Sequence, residues 1–456
     1  MNVLIKNGTI VTETSIFKSD ILTDGEKIKA VGINLTPETA DTDVIDAAGK
    51  YILPGAIDVH THLAMPFGGT VSSDDYFAGT RAAACGGTTT VFDFAMQDFG
   101  ESLLDTVLRR DKICAPDAAV DYAFHVGVKD ISGDLLNTIK DAVDFGVPSF
   151  KVFMVYDFGV SDGVFYELLS KSKAFNALIS VHAENKEIIS FLTDKFISEG
   201  KTSAYYHYLS RPEFCEEEAV TRAIAWAKAN NSALYIVHLA CKGGAEAIAQ
   251  AKREGVKIFA ETCPQYLEYN SEVYKRDDAK NFVCSPPMKN EDSRQAIIKA
   301  LQSGIIDTVA TDHCPFKLSE KEWGKDDFRK IPNGCNGVEN MYPFMLSLAG
   351  EGVISYSRAV EVCSYNPAKI FGCADSKGSL APGKDADIVI YDPEKTFTVT
   401  QEKMHSDNDH TIWEGKELRG YLEKVFSRGT LVYDNGNFMG KRGYGRFVKR
   451  QLTIYD

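Results

Sequence analysis

The sequence predicts an α/β protein, a (β/α)8 TIM-like barrel with a small β domain formed by both ends of the chain. Three observations favour this fold: strands and helices alternate through the middle of the chain, polar side chains stand where several of those strands end, and short strands alternate with turns at both termini. An open doubly wound sheet is the competing architecture. It gives no reason for polar residues at the ends of so many strands.

The first 53 residues alternate short apolar runs with turn signals. Asn7-Gly8 and Asp24-Gly25 separate such runs and favour tight hairpins between strands. Pro54-Gly55 then interrupts the pattern just before a new strand. We therefore predict that residues 1–53 form the first part of the β domain.

The barrel is predicted for residues 54–370, where strands and helices alternate. Its strands are predicted at Ile57–His62, Thr89–Phe94, Asp121–Val126, Ser149–Met154, Leu178–His182, Leu234–Leu239, Lys257–Glu261 and Thr308–Asp312. Helices are predicted at Tyr76–Cys85, Leu135–Asp144, Glu216–Asn230, Gly244–Glu254 and Asp292–Gln302. Crossover segments of this kind place consecutive strands in parallel.

The last part of the chain, residues 371–456, returns to short strands and turns. Strands are predicted at Ala386–Tyr391, Thr396–Val399 and Val425–Val432, with turns at Pro382-Gly383 and Asn435-Gly436. Neither terminal segment is large enough to fold alone. We therefore expect the two segments to pack together as one β domain.

Composition and charge exclude several classes of function and partner. The 456 residues are 44% hydrophobic and 25% charged, which is typical of a globular protein with a large core. The formal charge of −14 disfavours nucleic acid and anionic membranes as partners. We find no signal peptide, and no run approaches the roughly 18 apolar residues of a membrane span. Ten scattered cysteines without a Cys-X-X-Cys pair favour reduced thiols, so we expect a soluble, cytoplasmic protein.

The first barrel strand ends in two histidines, His60 and His62. Side chains two apart on a strand project to the same face, so both imidazoles are expected to point the same way. Convergent neutral imidazoles make half of a metal site. The alternative is a chance His-X-His pair on a surface strand.

Other strands add polar residues at the same predicted rim of the barrel. His182 and His238 end strands five and six, and Asp312 ends strand eight. Lys151 lies inside an apolar strand, where a buried ammonium group is costly unless it pairs with a neighbouring acid. Because active sites of such barrels lie at the carboxyl ends of the strands, these residues together predict a metal site. His125, on strand three, is interpreted as structural.

The histidine, lysine and aspartate motifs at these strand ends, in their order along the chain, resemble those of the amidohydrolase superfamily. Within this superfamily they resemble the dihydropyrimidinase/hydantoinase family. The likeness covers essentially the full length. It rests on His60-X-His62, Lys151 in Phe-Lys-Val-Phe-Met, His182 in Val-His-Ala-Glu-Asn, His238 in Val-His-Leu and Asp312 in Thr-Asp-His-Cys-Pro-Phe, and on the supporting segments 65–70, 284–287, 336–339, 378–389 and 406–415.

The resemblance implies a barrel with a β-sandwich made from both termini, and a centre of two Zn²⁺ ions. Lys151 would be an N6-carboxylysine, an anionic carbamate that bridges the metals. One zinc would be held by His60, His62, the carbamate and Asp312, and the other by the carbamate, His182 and His238. Nitrogen and oxygen ligands suit zinc, although Mn²⁺ or Co²⁺ could replace it.

The resemblance also implies the reaction and its remaining residues. A small cyclic amide or imide, a dihydropyrimidine or 5-substituted hydantoin, would be opened to an N-carbamoyl amino acid. Asp312 would accept a proton and pass it to the ring nitrogen, and Tyr156 would polarise the carbonyl oxygen. Ser285 and Asn336 would bind the imide edge, largely through backbone groups. Family members are commonly homotetramers, so a tetramer is expected.

Two departures from the family pattern concern loops that contact the ring substituent. Ala64 stands where many relatives have an acidic residue, and the segment 157–160 differs and is slightly shorter. The family pattern therefore implies the reaction type, and these two loops would set the substrate preference. Two other functions stay open: an allantoinase or dihydroorotase, and a non-catalytic dihydropyrimidinase-like assembly protein. The complete ligand set argues against the second.

Overall fold

Seven strands precede the barrel in the computed structural model, which describes residues 2–37 and 39–455. They are β1 (Val3–Lys6), β2 (Thr9–Val11), β3 (Ile16–Lys18), β4 (Asp20–Asp24), β5 (Lys27–Gly32), β6 (Asp43–Asp46) and β7 (Tyr51–Pro54). Four of them form one sheet in the order β5–β4–β1–β6. Asn7 and Gly25 have positive φ angles of 62° and 57°, which the tight turns between these strands require.

Eight parallel strands form the barrel that follows. The strands of this region, including a two-stranded hairpin of β9 and β10, are β8 (Ala56–Thr61), β9 (Pro66–Phe67), β10 (Thr70–Val71), β11 (Thr88–Met96), β12 (Asp121–Gly127), β13 (Ser149–Phe153), β14 (Leu178–His182), β15 (Leu234–Ile236), β16 (Ile258–Thr262) and β17 (Thr308–Val309). The order is β17–β16–β15–β14–β13–β12–β11–β8. A parallel bridge between Thr61 and His313 joins the two edges.

Fourteen α-helices are present among the described residues, most of them in the crossovers between barrel strands. They are α1 (Tyr76–Cys85), α2 (Leu103–Cys114), α3 (Thr138–Phe145), α4 (Asp162–Ser172), α5 (Lys186–Ser198), α6 (Ala204–Leu209), α7 (Glu213–Asn230), α8 (Lys242–Arg253), α9 (Pro264–Glu268), α10 (Glu291–Gln302), α11 (Leu318–Lys321), α12 (Met341–Gly350), α13 (Tyr356–Val360) and α14 (Asn366–Ile370). A π-helical turn, residues 361–365, joins the last two. None of the described helices is both long and apolar enough to cross a membrane.

The last strands of the chain complete the β domain. They are β18 (Ile388–Thr398), β19 (Glu417–Ser427), β20 (Thr430–Asp434) and β21 (Asn437–Phe438). They extend an N-terminal sheet into seven strands in the order β21–β20–β19–β18–β7–β2–β3, with Val389 opposite Leu53. Buried side chains from both sheets, including Ile5, Ile21 and Ile388, form one apolar cluster. The domain is therefore a sandwich of two sheets.

The predicted fold class, a (β/α)8 barrel with a β domain from both termini, is confirmed. The prediction of one strand over Val425–Val432 is wrong, because Arg428 and Gly429 have positive φ angles of 43° and 71° and make the turn between β19 and β20. Strands six and eight are also shorter than predicted. The boundaries at 53/54 and 370/371 stay predictions.

A partly buried ion pair links the barrel to the C-terminal segment. His405, after β18, bonds through Nδ1 to Oε1 of Glu339 at 2.7 Å. The hydrogen bond to Glu339 raises the pKa of His405, whereas burial raises the pKa of Glu339 itself. Because the folded pKa of the imidazole exceeds its unfolded value, the stabilisation is complete below about pH 6.5 and is lost as the pH rises through the raised pKa.

We therefore expect His405→Gln to destabilise the protein more at pH 6 than at pH 9, by about 1 kcal/mol. Melting temperatures of wild type and variant at the two pH values test this. His410→Gln is the matched control, because burial lowers the pKa of His410 and its effect should change in the opposite direction. An equal destabilisation by His405→Gln at both pH values would contradict the assignment.

Candidate active site

A cavity of about 410 Å³ opens at the carboxyl ends of the barrel strands. Enzymes with this fold carry their active sites at this face. The cavity is lined by all six predicted metal ligands: His60, His62, Lys151, His182, His238 and Asp312. Residues that are up to 252 positions apart in the sequence thus meet because parallel strands end on the same rim.

The two histidines of the first strand converge on Asp312. His60 lies in the fully buried strand β8, and His62 follows its end. Their Nε2 atoms lie 3.2 Å and 2.9 Å from Oδ1 of Asp312. The three side chains form a group whose ligand atoms could hold one metal ion. The predicted same-face arrangement of the His-X-His pair is therefore present.

The other two histidines form the opposite side of the same cluster. The ring centroids of His182 and His238 lie 4.5 Å apart, and those of His60 and His238 lie 5.4 Å apart. His182 is the last residue of β14, whereas His238 lies two residues beyond β15. Burial lowers the pKa of all three imidazoles, and neutral imidazole is the form that binds metals.

Lys151 occupies the centre of this rim, inside β13. Its side chain is 1% exposed, and Nζ lies 5.3 Å from the ring centroids of Phe94 and Phe153. Burial lowers the pKa of the ammonium to about 8, which leaves a larger neutral fraction than in water. No described acid lies within ion-pair distance of Nζ, so the alternative of a structural ion pair is not seen. A neutral amine is the form that reacts as a nucleophile.

The donor atoms of this cluster fit a metal centre. His60 Nε2, His238 Nδ1 and Lys151 Nζ are buried without a hydrogen-bond partner among the described residues. An unsatisfied buried polar atom costs about 1–3 kcal/mol, so three around one cavity need an explanation. Imidazole nitrogens with a carboxylate oxygen make a donor set suited to zinc, manganese or cobalt.

Glu261 holds two of the histidines in place, although it was not among the residues predicted for the site. Its Oε1 accepts hydrogen bonds from His60 Nδ1 at 2.7 Å and from the backbone N–H of His238 at 2.9 Å, and Oε2 accepts from the Tyr235 hydroxyl at 2.9 Å. This contact leaves His60 Nε2 as the ring atom directed at Asp312. Its position in strand β16 was the available signal, because the predicted strand seven ends at this glutamate.

Glu184 plays the corresponding part beside His182. His182 Nε2 lies 2.7 Å from Oε2 of Glu184, which Arg211 also contacts. Burial opposes ionisation, but the Arg211 guanidinium and His182 lower the pKa of Glu184 to about 2. A carboxylate that is ionised at neutral pH fixes the orientation of the imidazole ring. The signal was in the Val-His-Ala-Glu-Asn motif, where Glu184 follows the histidine by two residues.

Three site residues have backbone conformations that side chains rarely adopt. The φ angles of Tyr156, His238 and Asp312 are 70°, 37° and 52°. Such conformations cost of order 1–3 kcal/mol each and cluster at functional sites.

Burial opposes ionisation of Asp312, but the nearby imidazoles of His60 and His62 lower its pKa to about 2. Asp312 is therefore a carboxylate at neutral pH.

Aromatic side chains form one wall of the cavity. The rings of Tyr156 and Phe158 stack at 5.2 Å, Phe153 packs edge-on against Phe158 at 5.1 Å, and Phe67 meets Tyr156 at 5.6 Å. Burial raises the pKa of the Tyr156 hydroxyl, which therefore stays protonated and can donate a hydrogen bond. Met65 lines the same cavity as these aromatic side chains.

The two predicted substrate-binding residues are placed differently. Ser285 lines the cavity, and its hydroxyl is buried. Asn336 does not line it: its side chain bonds to the backbone of His410 and Ile412, and its carbonyl oxygen accepts from the Trp413 indole at 3.3 Å. A substrate contact of Asn336 stays a prediction.

His125, which was interpreted as structural, bonds through both ring nitrogens to Ser149 and to the Val59 carbonyl within the barrel.

Comparison with protein families identifies the class of protein. Residues 51–432 match the model of the amidohydrolase family, which spans most of the chain and both the barrel and part of the β domain. The chain therefore belongs to the amidohydrolase family. Each of its candidate metal ligands lies within the matched residues.

Full-length relatives narrow the identification. The chain is 40% identical to a D-hydantoinase of Ralstonia pickettii, with 99% of each chain covered, and 38% identical to a D-phenylhydantoinase of Escherichia coli, with 100% of this chain and 99% of the relative covered. The crystal structure of a dihydropyrimidinase from Brevibacillus agri superposes with a TM-score of 0.97 at 40% identity, with 99% of each chain covered. The predicted membership of the dihydropyrimidinase/hydantoinase group, and the prediction of a hydrolase, are confirmed.

Proposed function

We propose that the chain is a binuclear zinc enzyme that hydrolyses the ring amide of 5,6-dihydropyrimidines and 5-substituted hydantoins to N-carbamoyl amino acids. One observation carries the proposal: four histidines, an aspartate and a lysine without an ion-pair partner among the described residues meet around a cavity of about 410 Å³. The names of the relatives, D-hydantoinase and dihydropyrimidinase, supply the substrate class.

The residues that would hold the metals follow from the cluster. His60, His62 and Asp312 would bind one ion, His182 and His238 the other, and a carboxylated Lys151 would bridge them. Carboxylation converts the Lys151 amine into an anion and so removes the cost of an unpaired buried ammonium. When bound, two zinc ions supply an activated water at neutral pH and stabilise negative charge on a carbonyl oxygen.

Asp312 is the proposed proton carrier. Its low pKa keeps the carboxylate ionised before the reaction, so it can accept a proton from the attacking water. It would then pass this proton to the ring nitrogen as the amide C–N bond breaks. The left-handed backbone at Asp312, with φ of 52°, directs this side chain from a loop rather than from a strand.

Tyr156 and Ser285 would orient the ring. The protonated Tyr156 hydroxyl would donate a hydrogen bond to the carbonyl oxygen as negative charge develops on it. The buried Ser285 hydroxyl, with backbone groups near it and near Asn336, would bind the planar imide edge. A homotetramer, as is common in the family, is proposed for the assembly, and the mass of the protein in solution tests it.

The relatives also bear on the configuration of the preferred hydantoin. The D-hydantoinase of Ralstonia pickettii is 40% identical to the chain. An L-hydantoinase of Arthrobacter aurescens is 30% identical, with a TM-score of 0.89 and with 98% of this chain and 99% of that chain covered. Because the relative named for the D enantiomer is the more similar of the two, we propose a preference for D-5-substituted hydantoins. Steady-state kinetics of the zinc-loaded enzyme on dihydrouracil, both enantiomers of a 5-substituted hydantoin, allantoin and dihydroorotate test this. Higher kcat/KM on allantoin or dihydroorotate would overturn the substrate class.

The aromatic wall provides a prediction about selectivity. We expect Phe158→Ala and Phe67→Ala to change the ratio of kcat/KM between bulky hydantoins and dihydrouracil, because one methylene in an apolar pocket is worth roughly 1–3 kcal/mol. The metal content of both variants should equal that of wild type, since neither residue is a ligand. If both substrates lose activity in parallel, the two rings do not contact the substituent.

A further inference from the structure

Most of the charged side chains that line the outer part of the cavity have a carboxylate or guanidinium partner. Arg109 binds Glu101 at 2.8 Å and lies 3.4 Å from Asp98, and Arg110 binds Asp93 at 2.9 Å. Lys129 also lines the cavity, but no carboxylate among the described residues lies within 4 Å of its ammonium group. Outside the candidate metal centre, this lysine is thus the one unpaired cation of the described lining.

The position of Lys129 is fixed by its backbone. It lies two residues after β12, and Oε1 of the buried Gln97 accepts hydrogen bonds from the backbone N–H groups of Lys129 and Asp130 at 2.9 Å and 3.0 Å. The backbone N–H of Gln97 in turn bonds to the Gly127 carbonyl. The lysine is therefore attached to the rim of the barrel, and its side chain is half-buried.

The side chain of Lys129 extends over the aromatic wall. Its Nζ lies 5.7 Å from the ring centroid of Phe158, in the range of a cation–π contact. Phe158 stacks on Tyr156, whose hydroxyl is proposed to contact the reacting carbonyl. A substituent that leaves the ring along this wall would pass Phe158 and end near the ammonium group.

From this arrangement we propose that Lys129 forms an anion subsite of the substrate cavity, which selects cyclic amides whose substituent ends in a carboxylate. The inference rests on the proposed ring-opening function and names its substrate class: 5-carboxyalkyl hydantoins, the cyclic derivatives of acidic amino acids. The methylene groups of the substituent would pack on Phe158, and the carboxylate would pair with Lys129. The remaining wall stays apolar and accepts neutral substituents as well.

Matched substrates test the subsite. The probes are 5-(2-carboxyethyl)hydantoin and its neutral amide counterpart, 5-(2-carbamoylethyl)hydantoin, which have nearly the same size and differ in charge. We expect wild type to favour the carboxylate in kcat/KM, and Lys129→Gln to lower the carboxylate-to-amide ratio about two- to fivefold, the range for a partly exposed ion pair. The change should lie in KM, because the contact is equal in ground and transition states. Lys129→Glu should lower the ratio further.

Two controls separate the subsite from other effects. Lys186→Gln removes the same charge from a lysine that does not line the cavity and pairs with Asp157 at 3.5 Å, so it should leave the ratio unchanged. For wild type, added salt should move the ratio toward that of Lys129→Gln, since ions screen exposed charges. This measurement needs no variant, so it remains informative if a substitution impairs folding.

The outcomes distinguish the subsite from the function on which it rests. If wild type and Lys129→Gln open both rings with the same ratio, or if salt does not alter the wild-type ratio, the subsite is wrong and the proposed function stands. If wild type opens neither these hydantoins nor dihydrouracil, the proposed function fails and the subsite fails with it.

Discussion

Lys151→Ala should abolish metal binding and lower turnover by at least about 100-fold, more than the loss of a residue that merely supports a metal ligand costs. The reason is that this variant removes the proposed bridge between the two metals from a site that offers no other described anion at that position. Short carboxylic acids such as formate or acetate should restore part of the activity, because they can occupy the space of the missing carbamate. Elemental analysis and turnover with added acid measure both effects.

Lys289→Ala is the matched control for this experiment. Lys289 is also a buried lysine, 2% exposed, but it lies 3.7 Å from Glu216 and bonds to the Arg211 carbonyl. Its removal should leave the metal content of the folded protein intact, and carboxylic acids should not raise its activity. Normal metal content in Lys151→Ala, or an unmodified ammonium paired with an acid in a crystal structure, would rule out the carbamate.

Asp312→Asn should reduce turnover by at least about 10²-fold, the lower end for general acid–base catalysis. The amide keeps an oxygen that can bind a metal, but it cannot accept a proton, so kcat should fall far more than substrate binding weakens. Turnover and metal content measured on the same preparation separate the two roles. Asp157→Asn, in a carboxylate that is fully exposed to solvent, is the control and should retain activity. Near-normal turnover with two metals bound would remove Asp312 from the proton-transfer role.

Much of the site was predictable because it depends on strand ends. His60, His62, Lys151 and His182 lie in strands or directly after them, and the period of a strand together with the rule that parallel strands end on one rim places them near one another. These inferences need only local sequence and the barrel topology.

The remaining features depend on contacts that the local sequence does not specify. The left-handed backbone at His238 and Asp312 moves both residues beyond the strands that were predicted to contain them. The contact between Glu261 and His60 joins residues 201 positions apart. That no described carboxylate lies beside Lys129 likewise depends on how the loops pack. None of these follows from hydrophobic periodicity.

A metal titration tests whether ring opening of cyclic amides in this cavity needs two metal ions. The full-length protein is freed of metal with a chelator, Zn²⁺ is added in steps in the presence of bicarbonate, and ring opening of dihydrouracil is followed as formation of its N-carbamoyl product. We predict no activity without metal and a plateau at two zinc ions per chain. Full activity of the metal-free protein, or no ring opening at two zinc ions per chain, would contradict the proposed binuclear zinc hydrolase.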